Sequence, residues 1–265
     1  MLYFGKSDVG MKRSVNQDSF STRQISPDTL VAVVCDGMGG TAGGGIASSI
    51  AMDIYQTEIS KLLCEMMSES VDSVEIAVEI PRAIRECARK ANDFLYKVSK
   101  RDNSLAGMGT TLVSALVFKD RIFVANIGDS RLYKINKAGI EQITHDHSLV
   151  QYLVDQGRMS IDEARESKNK NIITRAVGVS EDVECDVFKL SVNPDADEYF
   201  LLCTDGLTNS IDDEEIKDIV LDRTLPEVKQ KVEYLIDRAN ISGGADNITA
   251  LIIKTEGRKK GGDRK

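Results

Sequence analysis

The chain has 265 residues, of which 42% are hydrophobic and only 5% aromatic, so it can bury a substantial core built from aliphatic side chains. Its net charge of −8 argues against general nucleic-acid binding, which needs a basic surface. The five cysteines form no C-x-x-C pair, no leader is recognisable, and no apolar run approaches the roughly 20 residues of a membrane span. We therefore expect a soluble, cytoplasmic, monomeric protein without nucleic-acid or membrane partners.

Hydrophobic periodicity predicts strands and helices in two alternating blocks. Strands are predicted at 2–8, 18–24, 30–35, 110–118, 121–127, 131–136, 185–190, 198–203 and 248–254. Helices are predicted at 43–67, 73–101, 147–156, 160–166, 212–221 and 225–239. Short turns at 119–120 and 128–130 predict two successive hairpins, which indicate antiparallel sheets rather than parallel βαβ units.

The domain organisation is predicted to be simple, because the chain contains no internal repeat and no long polar linker. We predict one domain over residues 1–255, followed by a basic, disordered tail at 256–265. Residues 157–180 form the one irregular, polar insertion within the ordered part.

A glycine-rich loop follows the strand predicted at 30–35, and residues 37–42 fit the dinucleotide-binding pattern G-x-G-x-x-A. That site also needs an acidic residue at the end of a second strand about 20 positions on. Here Asp53 and Glu58 fall inside a predicted helix, and no Gly-Lys-Ser/Thr of a Walker loop is present. Both nucleotide-binding interpretations therefore fail.

Five aspartates share a different context, since each lies at the end of a predicted strand beside small or turn-forming residues. They are Asp18, Asp36, Asp129, Asp205 and Asp246. One Asp-Gly alone is adequately explained as a turn. Five carboxylates gathered at one sheet edge would repel one another unless a cation lay between them. Carboxylate oxygens suit Mg²⁺ or Mn²⁺, and the pattern favours such a metal cluster over turn chemistry alone.

Eight segments in one order resemble the PP2C, or PPM, family of metal-dependent protein serine/threonine phosphatases, and its bacterial branch in particular. The segments are 13–18 (RSVNQD), 34–40 (VCDGMGG), 109–112 (GTTL), 125–131 (ANIGDSR), 144–149 (THDHSL), 173–178 (ITRAVG), 203–207 (CTDGL) and 244–249 (GADNIT). Each would be weak alone, whereas eight in family order over residues 1–255 are specific.

The resemblance implies an α+β fold of the PP2C type, an α/β/β/α sandwich of two central antiparallel sheets flanked by helices. Residues 157–180 would be the flap beside the cleft. It also implies roles for site residues: Asp36 bridging two metals, the Gly37 carbonyl on one of them, Asp205 and Asp246 completing the core, Asp18 and Gln17 holding metal-bound waters, Asp129 with Asp205 at a third metal, and Arg13 on the substrate phosphate.

The implied reaction is hydrolysis of phosphoserine and phosphothreonine monoesters by a metal-activated water or hydroxide, with two Mn²⁺ or Mg²⁺ ions and possibly a third. An arginine fork is suited to a phosphate dianion in such an acidic site. The expected partners are phosphorylated proteins, including a serine/threonine kinase that the enzyme opposes. The alternative is a non-catalytic phosphoprotein-binding module on the same fold, which the loss of metal aspartates would indicate.

Three positions depart from the family pattern. Thr41 and Gly45 stand where bacterial members usually carry histidine and glutamate, which puts local loop packing in question. Met38 replaces a histidine proposed as general acid in animal members, so a metal-bound water is our candidate proton donor. The pair His145 and His147 could suggest a metal site, but we interpret it as a structural motif at the start of a helix.

Overall fold

The computed structural model describes residues 1–68 and 72–257, except for the side chains of Thr41 and Ala42. The strands are β1 (Leu2–Asp8), β2 (Asp18–Ser26), β3 (Thr29–Met38), β4 (Gly109–Thr110), β5 (Leu112–Phe118), β6 (Arg121–Ile127), β7 (Arg131–Asn136), β8 (Gly139–Gln142), β9 (Asp186–Ser191), β10 (Glu198–Cys203) and β11 (Ile248–Thr255). The helices are α1 (Gly40–Ser68), α2 (Ser73–Arg101), α3 (Leu149–Asp155), α4 (Ile161–Glu166), α5 (Asp205–Thr208), α6 (Asp213–Leu221) and α7 (Val228–Ile241).

Two antiparallel sheets form the centre of the molecule. The first has the order β1-β11-β10-β7-β8, and the second has the order β2-β3-β5-β6-β9, with β4 paired to β3. Helices α1 and α2 cover the outer face of the second sheet, while α6 and α7 cover that of the first. This arrangement confirms the predicted α/β/β/α sandwich. No helix within the described residues is long and apolar enough to cross a membrane.

The alternation of side chains along β3 explains why the sandwich has three separate apolar layers. Val31, Val33 and Cys35 pack against the helices, whereas Ala32 and Val34 pack against the opposite sheet. All five are fully buried, because successive residues of a strand point to opposite faces and both faces here are covered. Alternation between polar and apolar residues is weak in such a strand. The predicted strand, 30–35, is therefore shorter than the observed strand, Thr29–Met38.

One predicted hairpin is wrong. Strands β5 and β6 pair as expected, but β6 and β7 belong to different sheets. The connection at 128–130 therefore passes from one sheet to the other. Gly128 has φ +107°, and a Cβ there would lie 2.6 Å from the Thr111 side chain, so the crossing requires glycine. Ser130 then hydrogen-bonds Thr111 across 2.7 Å and fixes the turn.

Helix α3 begins two residues later than predicted, at Leu149, because Ser148 is its N-cap and accepts a hydrogen bond from the Gln151 amide. Asp146 is not a cap, since its carboxylate receives the guanidinium of Arg131.

Strand β8 and helix α5 were missed by the sequence pattern, being only four residues each. Of the predicted tail, residues 258–265 lie outside the described residues.

The pairing of β2 with β3 contains a bulge. Gln24 faces Leu30, whereas Ser26 faces Thr29, so one extra residue, Ile25, stands in β2. Beyond the bulge the register is regular and brings Asp18 directly opposite Asp36. The hairpin thus places two acidic side chains on one face at one sheet edge.

Candidate metal centre and substrate cleft

A cleft of about 420 Å³ opens at the edge where both sheets end, and we call it the acidic cleft. Six of the residues singled out in the sequence line it: Arg13, Gln17, Asp36, Asp129, Asp205 and Asp246. Gly37 also lines it, next to Asp36, while Asp18, which stands opposite Asp36 on the neighbouring strand β2, is not among the lining residues. The flap contributes Asn171 and Ile173. The fold therefore brings together residues that are up to 233 positions apart.

The backbone of Asp36 is held from β4 and the start of β5. Its amide donates to the Thr111 hydroxyl at 2.8 Å, and its carbonyl accepts from the Thr111 amide at 2.9 Å. The same carbonyl accepts from the Thr110 hydroxyl at 2.8 Å. Asp36 is thus fixed before any ligand binds, as a preorganised site requires.

Asp18 is held by two hydroxyl groups from the other sheet. Its Oδ2 accepts from Thr249 at 2.6 Å and from Thr204 at 2.9 Å. Its Oδ1 is buried and has no hydrogen-bond partner among the described residues. Burial raises the pKa of Asp18 to about 7, although both hydroxyls act in the opposite direction.

Three carboxylates that line the cleft, those of Asp36, Asp129 and Asp205, also resist ionisation. Burial raises the pKa of Asp36 well above its ordinary value, and the charges of Asp18 and Asp205 add to this effect. Burial and the charge of Asp205 raise the pKa of Asp129 to about 8. The pKa of Asp205 is raised by burial and then by Asp246. The fold therefore concentrates negative charge where it is unfavourable without a compensating cation.

The donor set fits a hard divalent cation. Carboxylate oxygens are the ligands that Mg²⁺ and Mn²⁺ prefer, and the unpartnered Oδ1 of Asp18 supplies a free buried acceptor. Among the described residues, no three acidic, histidine or cysteine groups already stand in a closed metal-binding arrangement. Neighbouring carboxylates repel one another, so closure around a cation is the step that would bring them nearer.

Gly37 can only be glycine at its position. A Cβ there would lie 2.1 Å from the Gly44 carbonyl oxygen and 2.7 Å from that of Gln17. Its own carbonyl oxygen lies close to Gly44, where a Cβ would approach it to 2.7 Å. The first turn of α1 therefore packs directly on the strand end that carries Asp36.

Arg13 reaches the cleft from the loop between β1 and β2. Its guanidinium donates to Oδ2 of Asp246 at 2.8 Å, and its side chain is 52% exposed. Asn247 holds this loop, since its amide group donates to the Val9 and Val15 carbonyls and its Oδ1 accepts from the Gln17 amide. Arg13 is thus accessible to a ligand while its loop is anchored next to Asp246.

His145 and His147 have separate partners, which agrees with a structural motif. His145 pairs with Asp155 at 2.8 Å on the surface. His147 is buried, and its Nδ1 accepts the Gly128 amide at 3.0 Å. Its Nε2 therefore carries the proton in the neutral ring and lies 3.1 Å from Asp186.

Sequence reasoning singled out the acidic residues but gave no role to the residues that orient them. Thr111 and Asn247 each make hydrogen bonds that fix a cleft residue, and both line the cleft. Thr111 belongs to the quoted motif GTTL and Asn247 to GADNIT, so their positions were visible in the sequence. Their role was not, because it depends on contacts across 75 and 230 positions.

Of the three departures, Gly45 causes no distortion. A Cβ at Gly45 would come no closer than 3.9 Å to its nearest neighbours, the backbones of Asn16 and Gln17. Met38 lines the cleft at the end of β3. Thr41 belongs to the first turn of α1, and its side chain is outside the described part of the chain.

Comparison with known proteins identifies the family. The family model described as Protein phosphatase 2C matches residues 10–240. The serine/threonine phosphatase stp of Listeria monocytogenes is 34% identical over 259 residues, which are 97% of each chain. The solved structure of serine/threonine phosphatase Stp1 from Staphylococcus aureus has a TM-score of 0.84 at 32% identity, covering 96% of this chain and 95% of that one.

A further solved structure is the catalytic domain of the serine/threonine protein phosphatase PstP in complex with two manganese ions. It has a TM-score of 0.76 at 30% identity and covers 95% of this chain and 96% of that chain. Both the sequence and the fold agree over nearly the whole length with the expectations drawn from the eight motifs. The chain belongs to the protein phosphatase 2C family.

Proposed function

We propose that the acidic cleft hydrolyses phosphoserine and phosphothreonine in proteins, with divalent metal ions held by Asp36, the Gly37 carbonyl, Asp205 and Asp246. The chain is a serine/threonine protein phosphatase, a metal-dependent hydrolase of its family. The observation that carries the site assignment is the convergence of buried carboxylates with raised pKa values around one cleft that also contains an exposed arginine.

The residues of the cleft would have two kinds of role: some would bind metal ions, and others would orient water or the phosphate. Metal ions bound here would supply a strong electrophile and lower the pKa of water, which is the chemistry that two-metal sites provide. Asp36 and Asp205 would hold them, while Asp18 and Gln17 would orient water through hydrogen bonds. Arg13 would offer its guanidinium fork to two oxygens of the phosphate, exchanging Asp246 for the substrate.

The cleft lining suggests hydrolysis without a covalent enzyme intermediate. The residues lining it include no cysteine, serine or histidine, and the hydroxyl of Thr111 is already engaged with the Asp36 amide and with Ser130. The aspartates of the lining are the residues that we assign to the metal ions. Met38 cannot donate a proton to the leaving oxygen, so we assign that role to water. The seryl or threonyl oxygen leaves as the alcohol, and the phosphate leaves as inorganic phosphate.

The finer assignments belong to the same proposal. Two Mn²⁺ or Mg²⁺ ions would occupy the core, and Asp129 with Asp205 would hold a third, weaker ion. The substrates are phosphoproteins, including a serine/threonine kinase whose action the enzyme reverses. The phosphatase domain comprises residues 1–255. The support is the position of Asp129 at the cleft wall and the two manganese ions of the PstP catalytic domain.

The first experiment measures phosphate release from a phosphothreonine peptide by wild type and Asp36→Asn, with and without Mn²⁺. We expect metal-dependent release by wild type and a loss on the order of 10³-fold in the variant, because one central charge is removed from the site. Thermal unfolding without metal should show that the variant is folded, since the substitution also removes a buried, repelled carboxylate.

Two results would contradict the proposal. Normal turnover by Asp36→Asn would overturn the site assignment. No release by folded wild type, together with tight binding of the phosphopeptide, would instead favour the non-catalytic binding module. Calorimetry with Mn²⁺ on the same two proteins separates loss of metal binding from loss of the reaction.

A further inference from the structure

A second cavity adjoins the acidic cleft and has no part in the roles assigned above. It measures about 320 Å³ and shares two walls with the cleft, Met38 and Ile173. Its other lining residues include Arg175, Val179, Asp182 and Glu184. We call this cavity the flap groove, because it lies along the C-terminal end of the flap. A chain that places its phosphorylated residue in the cleft can continue over Met38 into this groove.

The wall of the flap groove is fixed to the sandwich. Val177 exchanges two backbone hydrogen bonds with Thr110, at 2.9 and 3.0 Å, so the end of the flap pairs with the strand beside Asp36. Asn92 on α2 is fully buried, and its side chain bonds the Gly178 amide and the carbonyls of Ser180 and Glu181. The groove is thus preformed, as binding sites usually are.

The surface of the groove combines apolar and acidic parts. Met38, Ile173 and Val179 provide the apolar part, and Val179 is 48% exposed although it is a large hydrophobic residue. Asp182 and Glu184 provide the acidic part. Asp182 makes no ion pair with any described residue, and the Glu184 side chain is 78% exposed.

The one basic residue of the groove is already neutralised. Arg175 donates to Asp186 at 2.8 Å and to Glu184 at 3.3 Å. Its contact with Asp186 is the shorter and less exposed of the two, so Glu184 retains most of its capacity for another cation. Among the residues that line the groove, the charged side chains are Asp182 and Glu184 against Arg175. Asp182 and Glu184 also line a neighbouring cavity to which α2 contributes arginines, and among the described residues none of these arginines forms an ion pair with either carboxylate: they are Arg82, Arg85 and Arg89.

We propose that the flap groove is a subsite for a lysine or arginine side chain of the substrate protein, close in sequence to the phosphorylated residue. The aliphatic stem of such a side chain would lie on Met38, Ile173 and Val179, while its charged head would meet Asp182 and Glu184. The substrate class is therefore phosphoserine or phosphothreonine with a nearby basic residue.

This inference rests on the proposed function, and the test is built to separate the two. Wild type is assayed with Mn²⁺ on p-nitrophenyl phosphate and on phosphothreonine peptides in which lysine, alanine or glutamate occupies each of the three positions on either side. We expect kcat/KM for the best lysine peptide to exceed that of its alanine counterpart by about fivefold, as for one or two partly exposed ion pairs. This ratio should fall in high salt, which screens exposed charges.

The variant is the double substitution Asp182→Asn and Glu184→Gln, and the matched control is Asp28→Asn with Asp120→Asn. The control removes the same charge from the turns at the far end of the second sheet. The lysine-to-alanine ratio is compared within each protein, so any general loss of activity cancels. We expect a ratio near one in the double variant and an unchanged ratio in the control.

Hydrolysis by wild type without a lysine preference, or with a glutamate preference, would overturn the subsite and leave the phosphatase intact. A lysine preference that survives in the double variant would also overturn it. Failure of wild type to hydrolyse even p-nitrophenyl phosphate would overturn the proposed function, and the subsite with it.

Discussion

The two sides of the acidic cleft are built differently. The sheet side holds Asp36 on a central strand, with its backbone bonded by Thr110 and Thr111 and its surroundings buried. The flap side presents mostly exposed residues. Hydrogen bonds attach it to Asn92 of α2, to His147 just before α3 and to Thr110 of β4. The first side therefore carries buried charge, and the second side carries mostly exposed surface. A change on the sheet side should therefore affect every substrate, and a change on the flap side mainly protein substrates.

After Asp36→Asn, the largest effect is expected from a substitution of Thr111 on the sheet side. Thr111→Val keeps the shape but removes the hydroxyl that joins the Asp36 amide to Ser130. We expect a loss of about 10- to 100-fold in kcat/KM, as for other residues that orient metal ligands. The loss should be equal for p-nitrophenyl phosphate and for a phosphothreonine peptide.

Thr111→Ser is the matched control, because it restores the hydroxyl and should recover most of the activity. The increase in melting temperature on adding Mn²⁺ provides a second measurement, which should shrink in Thr111→Val and return in Thr111→Ser. A purely structural role would lower the melting temperature in both conditions and leave that increase unchanged.

A smaller effect is expected at Asp129, which stands where the chain passes from one sheet to the other. Asp129→Ala should reduce kcat by about tenfold, within the range for outer groups of a metal site, while leaving the core occupied. Calorimetry should still detect binding of the core ions. Identical rates for wild type and variant across a Mn²⁺ titration would exclude a catalytic third site at this residue.

The fold was predictable where period-two patterns and short turns coincide. Strand β1 was predicted with its observed bounds, and so were β6, β7 and β10. The β6–β7 hairpin was predicted wrongly, because the turn at Gly128–Ser130 is short enough for a hairpin. Whether the chain turns back or crosses to the other sheet depends on the contact of Gly128 with Thr111, which no local pattern contains.

The site was predictable as a set of residues, because aspartates beside small residues at strand ends are visible in a sequence. The loop anchored by Asn247 and the pairing of Arg13 with Asp246 were not, because both contacts join the first 17 residues to the loop that precedes β11. The assigned roles of the aspartates remain predictions that the variants above address.

His147, whose carbonyl accepts a hydrogen bond from the amide of the flap residue Thr174, should make the free energy of unfolding depend on pH. Burial lowers its pKa below 6.5, and the charge of Arg175 acts in the same direction, against the hydrogen bond to Asp186. The unfolded chain therefore takes up the proton first. The contribution of the neutral His147 ring to the free energy of unfolding is complete above pH 6.5. It is lost as the pH falls through the pKa of the ring in the folded protein.

In His147→Gln, which keeps an acceptor and a donor but does not titrate, the unfolding free energy should depend less on pH below 6.5. The difference in slope is at most about 1.4 kcal/mol per pH unit. Denaturant unfolding at pH 5.5, 6.5 and 7.5 measures it. Parallel pH profiles for wild type and variant would show that this ring does not control acid stability.

The smallest effect is expected from restoring the usual family residue at Gly45. Gly45→Glu adds a side chain where nothing lies nearer than 3.9 Å, and it removes a flexible residue from α1. The helix should gain about 0.5–1 kcal/mol, seen as a higher melting temperature, with activity within about twofold of wild type. A large loss of activity would show that the departure at this position matters to the cleft.

The bulge at Ile25 has a consequence for how the site could be lost. If β2 and β3 kept the pairing that they have at Ser26 and Thr29, Asp18 would stand opposite Gly37 instead of Asp36. A single inserted residue in a surface hairpin thus sets the register between Asp18, seven residues before it, and Asp36, eleven residues after it. Deleting it could leave every aspartate in the sequence and still separate the pair, so an intact motif does not by itself guarantee an intact site.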